Sequence, residues 1–100
     1  MREFEVNCAA RSVAGGGHEH ITHIGHHQHD WCLTREAAVK RIDAGFEAFY
    51  TIDLTTGERV PIGVMREPGQ PPQLRTRLNG AWTDHLLGLS PCGLTEQLIA

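Results

Sequence analysis

The stretch "WCLTREAAVKRIDAGFEAFYTID", residues 31–53, decides the fold because it predicts a strand, a helix and a second strand in succession. Thr34 suits the N-cap of the helix, and Gly45 suits its C-terminal end, where a left-handed backbone is common. Between them, Ala38 and Ile42 lie on one apolar stripe at helical spacing. The residues after the glycine alternate in polarity, which predicts the second strand.

Four further segments alternate apolar and polar residues or are rich in β-branched ones, the patterns typical of strands. Glycine-containing turns separate them, among them the tight-turn pair Asn79–Gly80. Near the C-terminus, a single helical turn is expected, with Asp84 or Thr83 as its cap. The sequence therefore predicts an α+β fold in one domain, residues 1–100: a small, mainly antiparallel β-sheet with one short helix packed on one face. The four further strands are predicted over 2–12, 19–24, 59–65 and 73–78.

Composition argues against several classes of protein. The formal net charge of −3 gives no basic footprint of the kind that nucleic-acid binding leaves. No apolar run approaches the ~20 residues that a membrane helix needs, and the first residues lack the apolar core of a signal peptide, so we expect a cytoplasmic protein. The chain carries no nucleophile elbow or phosphate loop, and its length leaves little room for a deep pocket, so we expect no enzyme.

A metal site is the first hypothesis that the histidines raise. Six of the seven lie in "GGGHEHITHIGHHQHD", residues 15–30. On a strand, His18 and His20 would point the same way and could hold one ion together. Cys8 on the strand expected to pair with theirs, and Cys92 in the closing segment, could complete a tetrahedral zinc site. In a reducing compartment, the cysteines are expected to be thiols or metal ligands rather than a disulfide framework.

Zinc is the one cofactor that these residues suggest, and their spacing matches no known metal motif. The alternative is that the cysteines pack as small apolar side chains and that the histidines are solvated. The segment 26–30 is expected to be an exposed tip. Because imidazole titrates near neutral pH, protonation of all seven histidines would turn the net charge from −3 to +4.

Large aromatic and basic side chains raise the second hypothesis, a surface for a partner. Trp31 and Trp82 are large for so small a core, and aromatic residues left outside it suit an interface; alternatively, they complete the core. Arg75 and Arg77 share one strand face, the geometry needed for adjacent phosphates. Edge strands also invite pairing, which allows a homodimer. We therefore expect a non-enzymatic domain that docks on a protein partner, with a structural zinc domain and a weak nucleic-acid-binding module as alternatives.

Three stretches, 15–25, 31–53 and "LRTRLNGAWTDHLLGLSPC" (74–92), resemble in their order and spacing the small bacterial and phage proteins of domain-of-unknown-function family 3892. The resemblance covers roughly four-fifths of the chain by these motif readings. It implies a compact α+β domain, and it points to no particular activity. With the small size, it favours an accessory or inhibitory protein of a phage or mobile element. His85 stands where the family carries Asn, and the matching residues of the family's closing motif are Thr76, Asn79, Gly80, Asp84, Leu86, Leu87, Leu89, Pro91 and Cys92.

Overall fold

The computed structural model describes residues 2–13 and 15–92 of the chain. These residues form eight β-strands, one α-helix and two short 3₁₀ turns, at His18–His20 and His85–Gly88. No helix among them has both the length and the apolar character that crossing a membrane requires. The strands and the helix, in chain order, are β1 (Arg2–Glu5), β2 (Cys8–Arg11), β3 (Ile21–His26), β4 (Trp31–Thr34), α1 (Arg35–Ala44), β5 (Glu47–Ile52), β6 (Arg59–Met65), β7 (Gln73–Leu78) and β8 (Ala81–Thr83).

Helix α1 begins and ends where the sequence predicts. The Thr34 hydroxyl accepts a hydrogen bond from the N–H of Ala37 at 3.1 Å. At the other end, Gly45 has a φ of 80° and donates its N–H to the carbonyl of Ile42 at 3.0 Å. Both predicted ends are therefore confirmed, and the helix lies with Ala38 buried against the sheets.

The described strands form two sheets. One has five strands in the order β1-β5-β6-β7-β8, and the other has three in the order β2-β3-β4. The pairing of β1 with β5 is parallel, and the other strand pairs are antiparallel. The predicted α+β class is confirmed: helix α1 contacts strands of both sheets, and the core lies between these layers. Its largest fully buried side chains include Phe49, Ile21, Ile24, Leu33, Leu74 and Leu86.

The N-terminal segment contributes one strand to each sheet. The prediction of one strand over 2–12 is wrong in this respect, because β1 and β2 are separate strands. The Val6 N–H donates to the carbonyl of Tyr50 at 2.7 Å, in the five-stranded sheet, and the next N–H, that of Asn7, donates to Gly25 at 2.9 Å, in the other sheet. The chain therefore changes sheet between these two residues, and alternation of side chains alone does not reveal such a change.

The histidine-rich segment also differs from the prediction. Residues His18–His20 form a 3₁₀ turn, and the strand begins only at Ile21 and extends to His26. His18 and His20 are therefore not alternate residues of a strand, and the geometry assumed for joint metal binding is absent. Beyond β3, residues 27–30 form the exposed turn of the β3–β4 hairpin, as expected, although His26 itself is buried.

A disulfide joins Cys8 to Cys92, which are 84 residues apart in sequence. The prediction that these cysteines are thiols is therefore wrong. The closing segment also reaches β2 through its backbone, since the N–H of Ala9 donates to the carbonyl of Ser90 at 3.0 Å. Cys32 lies outside this disulfide, buried in the same small cluster. The end of the described chain is thus fastened to its second strand.

Candidate binding face

The four residues of the predicted zinc site do not converge. Cys8 and Cys92 are bonded to each other, which removes the thiolates that would bind zinc. His18 instead lies near Asp84, and His20 lies 3.6 Å from Glu19. Across residues 2–13 and 15–92, no three His, Cys, Asp or Glu side chains are placed to hold one metal ion. The described residues therefore do not support the zinc site.

Trp31 belongs to the core rather than to a surface. It is 5 % exposed, and its ring contacts those of Phe4 and Phe49 at centroid distances of 6.0 and 5.9 Å. Its prediction as a partner-binding residue is therefore wrong. A small core can hold this indole because the first strand of each sheet contributes to it, Phe4 from β1 and Ala9 from β2.

Trp82, by contrast, lies on the outer face of the five-stranded sheet, the face turned away from α1. It is paired across β7 and β8 with Arg77, whose guanidinium lies 5.2 Å from the centre of the indole. A Cβ placed on Gly63 would lie 3.4 Å from the same ring, so the indole leans over the glycine of β6. Arg75 shares the face with Arg77, as predicted, because alternate residues of a strand point the same way.

A second aromatic–arginine pair lies on this face, and the sequence reasoning missed it. The Arg59 guanidinium lies 4.5 Å from the centre of the Tyr50 ring. Tyr50 is opposite Pro61 in the register of β5 and β6. The signal was present in the alternation of β5, where Phe49 and Tyr50 point to opposite faces and one of them had to face outward. The register shows that it is Tyr50, because Phe49 is in the core.

Arg75 is held at the edge of the face by the last residue of β8 and the residue after it. Its Nε donates to the carbonyl of Thr83 at 3.1 Å, and its Nη2 donates to Oδ1 of Asp84 at 2.8 Å. Asp84 or Thr83 was predicted to cap the last turn, and Asp84 does occupy the N-cap position of His85–Gly88, where its carbonyl accepts the N–H of Leu87 at 3.1 Å. Its side chain makes no capping hydrogen bond, however, because the carboxylate accepts from Arg75 instead.

A series of polar side-chain contacts connects the His85–Gly88 turn to the five-stranded sheet. The Thr83 hydroxyl lies 2.7 Å from Nδ1 of His85, and Nε2 of this histidine lies 2.9 Å from Oδ2 of Asp53. The Asp53 carboxylate also accepts the backbone N–H groups of Thr55 and Thr56 at 2.8 and 3.1 Å. The hydrogen bond from His85, followed by those two N–H groups, lowers the pKa of the Asp53 carboxyl. These contacts give the network a structural role, the closing of the loop between β5 and β6.

His18 is buried beside Arg75 and Asp84. It is 6 % exposed, and its Nε2 has no hydrogen-bond partner in the described part of the chain. Burial lowers the pKa of His18 below 6.5, and the nearby charge of Arg75 lowers it further. The side chain lines an open polar cavity together with Glu19, Met65, Glu67, Gln70, Gln73 and Arg75.

The histidine-rich hairpin tip is anchored at its base. His26 stacks on His29 with a centroid distance of 4.2 Å, and its Nε2 lies 3.5 Å from Oε2 of Glu5. Asn7 holds the turn by accepting the N–H of His27 at 2.9 Å and donating to Gln28 at 2.6 Å. The tip also reaches the closing segment, since Nε2 of His27 lies 3.4 Å from the Ser90 hydroxyl. It is therefore an ordered hairpin, in contact with β1, with Asn7 between β1 and β2, and with Ser90.

Comparison of the chain with protein-family models, curated proteins and solved structures gave no match. The resemblance to family 3892, and the phage or mobile-element setting that it favours, stay predictions. Among the described residues, the side chains on the outer face of the five-stranded sheet form the candidate binding surface.

Proposed function

We propose that the protein is a small non-enzymatic docking domain, and that the outer face of its five-stranded sheet binds an acidic surface of a protein partner. The observation that carries this proposal is the presence of two arginine–aromatic pairs on one open sheet face. We call this surface the docking face and define it by the members of the two pairs and the neighbouring arginine: Tyr50, Arg59, Arg75, Arg77 and Trp82.

The residue types suit protein recognition. Tryptophan, tyrosine and arginine are the side chains that contribute most often to the centre of protein interfaces. Here the strands hold both rings, so a partner would meet a surface that is already ordered and would lose less side-chain entropy on binding. The guanidinium of Arg77 has no carboxylate at ion-pair distance among the described residues, although it lies on the indole of Trp82. It can therefore give its hydrogen bonds to a partner's carboxylate.

A protein partner fits the charge distribution better than a nucleic acid does. The whole chain carries a formal charge of −3, which repels a phosphate backbone at long range. Two carboxylates also lie beside the arginines, since Glu3 is 3.8 Å from Arg59 and Asp84 is 2.8 Å from Arg75. A nucleic-acid surface would be expected to lack such groups. A local patch of arginines within an acidic molecule instead matches a local acidic patch on another protein.

Affinity capture with charge-reversed variants tests the proposal. Wild type, Arg77→Glu and a matched control, Lys40→Glu, are immobilised and exposed to a nuclease-treated lysate of the source organism. Lys40 is an exposed residue of α1, away from the docking face. We expect an acidic protein that wild type and the control retain and that Arg77→Glu loses. The purified partner should then bind directly, and more weakly as salt rises.

Three results would contradict the proposal. Capture of the same proteins by all three forms would place the binding surface elsewhere. Retention that is seen with an untreated lysate and is absent with the nuclease-treated one would indicate nucleic acid as the ligand. A doubled mass of the pure protein in sedimentation, lost in Arg77→Glu, would make the occupant a second copy of this chain.

A further inference from the structure

One carboxylate oxygen lies between the docking face and a buried histidine. Oδ1 of Asp84 accepts a hydrogen bond from Nη2 of Arg75 at 2.8 Å, and the same oxygen lies 3.8 Å from Nε2 of His18. That nitrogen is buried and has no hydrogen-bond partner among the described groups. The Asp84 side chain is 69 % exposed, and a shift of its Oδ1 by about 1 Å toward the imidazole would bring the two atoms to hydrogen-bond distance.

Charged groups from four parts of the fold act on His18. Arg75 lies on β7, Arg11 on β2, Glu19 in the same 3₁₀ turn, and Asp84 just before the last turn. Burial and the two arginines favour the neutral imidazole, whereas the two carboxylates favour the charged form. Glu67 lines the cavity next to the histidine and adds a further negative charge. The imidazole of His18 is therefore neutral at neutral pH. The carboxylate of Asp84 lies close enough to accept a hydrogen bond from this ring once acid protonates it.

We infer that protonation of His18 switches the docking face toward tighter binding of acidic partners. This inference rests on the proposed function. A proton from solvent adds to the imidazole, whose Nε2–H then donates to Asp84. The neutral Arg75–Asp84 pair becomes a group of three side chains with one net positive charge. Arg75 of this group lies two residues from Arg77 on β7, on the face where a partner's carboxylates would bind.

Binding of a hexaglutamate peptide, measured from about pH 7.5 down to about pH 5, tests the switch. The series extends to the lower value because the pKa of His18 is lowered from that of an ordinary imidazole, and glutamate stays mostly ionised over this range. Wild type should bind the peptide about threefold more tightly at the lower pH, the effect of one exposed charge pair. His18→Leu should lose most of this gain. His27→Gln, which removes an exposed histidine from the hairpin tip, should keep most of it. A pH gain in His18→Leu as large as that in His27→Gln would overturn the inference.

Two further measurements separate the switch from the docking proposal. NMR titration of the free protein should show the Asp84 carboxyl carbon and the Arg75 Nε resonances moving together with the titration of His18. If hexaglutamate binds no form of the protein, the proposed function fails, and this titration still decides whether the switch exists. Asp84→Asn covers the case in which His18→Leu does not fold: it should bind the peptide more tightly at about pH 7.5 and show a smaller pH gain. An unchanged pH gain in Asp84→Asn would contradict the inference.

Discussion

Asp53 is a single carboxylate on which several parts of the fold depend. It accepts hydrogen bonds from His85 and from the N–H groups of Thr55 and Thr56. These bonds lower its pKa in the folded protein relative to the unfolded chain. A lowered folded pKa means that the stabilising contribution is fully present above the unfolded value of about 4 and is lost as the pH falls through the folded value.

In the variant Asp53→Asn, the free energy of unfolding should therefore fall less steeply as the pH is lowered than it does in wild type. The asparagine oxygen can still accept the two backbone N–H groups, so the loop keeps part of its closure, whereas the charge that titrates is gone. Urea unfolding at a series of pH values below about 5 measures the effect. We expect wild type to lose stability with acid more steeply than the variant. Parallel curves for the two proteins would show that another carboxylate dominates the loss of stability in acid.

The residues of the docking face show what single-sequence reasoning reaches at this scale. Alternation along one strand predicts that Arg75 and Arg77 share a face, and the size of Trp82 in so small a domain marks it as a candidate interface residue. Arg59 was missed because its ring partner, Tyr50, lies on a strand with aromatic residues on both faces. Only the pairing of strands shows which of those faces is outward. A pattern within one segment carries no information about its neighbours in the sheet.

At the scale of elements, Gly25 shows how closely strands β3 and β4 approach each other. A Cβ on this glycine would lie 2.3 Å from the carbonyl oxygen of Trp31 and 3.2 Å from the sulfur of Cys8. The first of these contacts involves backbone, which cannot rotate away as a side chain would. Gly25→Ala should therefore destabilise the protein by about 3 kcal/mol or more.

Gly63→Ala is the matched control for that experiment, since it also adds one methyl group to a strand. Its Cβ would lie 3.4 Å from the Trp82 ring, an ordinary contact, and alanine is intrinsically better than glycine in a strand. We expect its stability to stay within about 0.5 kcal/mol of wild type. Thermal unfolding of the two variants measures the difference. Similar melting temperatures for both would mean that the β3–β4 approach is looser than the structure shows.

The N-terminus of helix α1 gives an independent prediction, because one side chain, that of Thr34, caps it. Thr34→Ala removes the acceptor of the Ala37 N–H and should cost about 1 kcal/mol. Thr34→Ser keeps the hydroxyl and should retain most of the stability. Chemical denaturation of the three proteins gives the free energies. Equal losses in the two variants would point to the threonine methyl group rather than to the cap.

The same helix explains why some elements could be predicted and others could not. Its signals are local, a capping hydroxyl, an apolar stripe and a terminal glycine within about a dozen residues. The His18–His20 turn lacks such signals, and its β-branched neighbours Ile21 and Thr22 made the whole segment resemble a strand. The two-sheet division of the N-terminal segment depends on hydrogen bonds to residues far along the chain, Gly25 and Tyr50.

At the scale of the whole molecule, the Cys8–Cys92 disulfide changes the view of both stability and compartment. The cytoplasmic prediction stays untested. The expectation that the cysteines are thiols followed from that prediction, and the disulfide contradicts this expectation. Sequence reasoning could not pair these cysteines, because three of them allow several pairings and their separation of 84 residues gives no local signal. Only the assembled fold brings the closing segment to the second strand.

The disulfide should be the largest single covalent contribution to stability. Because it closes a loop that spans most of the chain, the chain-entropy argument predicts about 4–5 kcal/mol for a separation of 84 residues. A domain of this size has only about 5–10 kcal/mol of total stability, so loss of the disulfide should bring it close to unfolding at room temperature. Reduction should lower the melting temperature by on the order of 20 °C.

Calorimetry with and without a dithiol reductant tests this prediction, provided that the reductant is added to unfolded protein, since the exposed fractions of Cys8 and Cys92 are 0 % and 5 %. The double variant Cys8→Ala/Cys92→Ala should melt near the reduced wild type and should not respond to reductant. Cys32→Ala should keep the full response, because Cys32 lies outside the disulfide. A reductant-insensitive wild type with three titratable thiols would show that the disulfide does not form. The β2 strand would then be held to the closing segment by the Ala9–Ser90 hydrogen bond and side-chain packing alone.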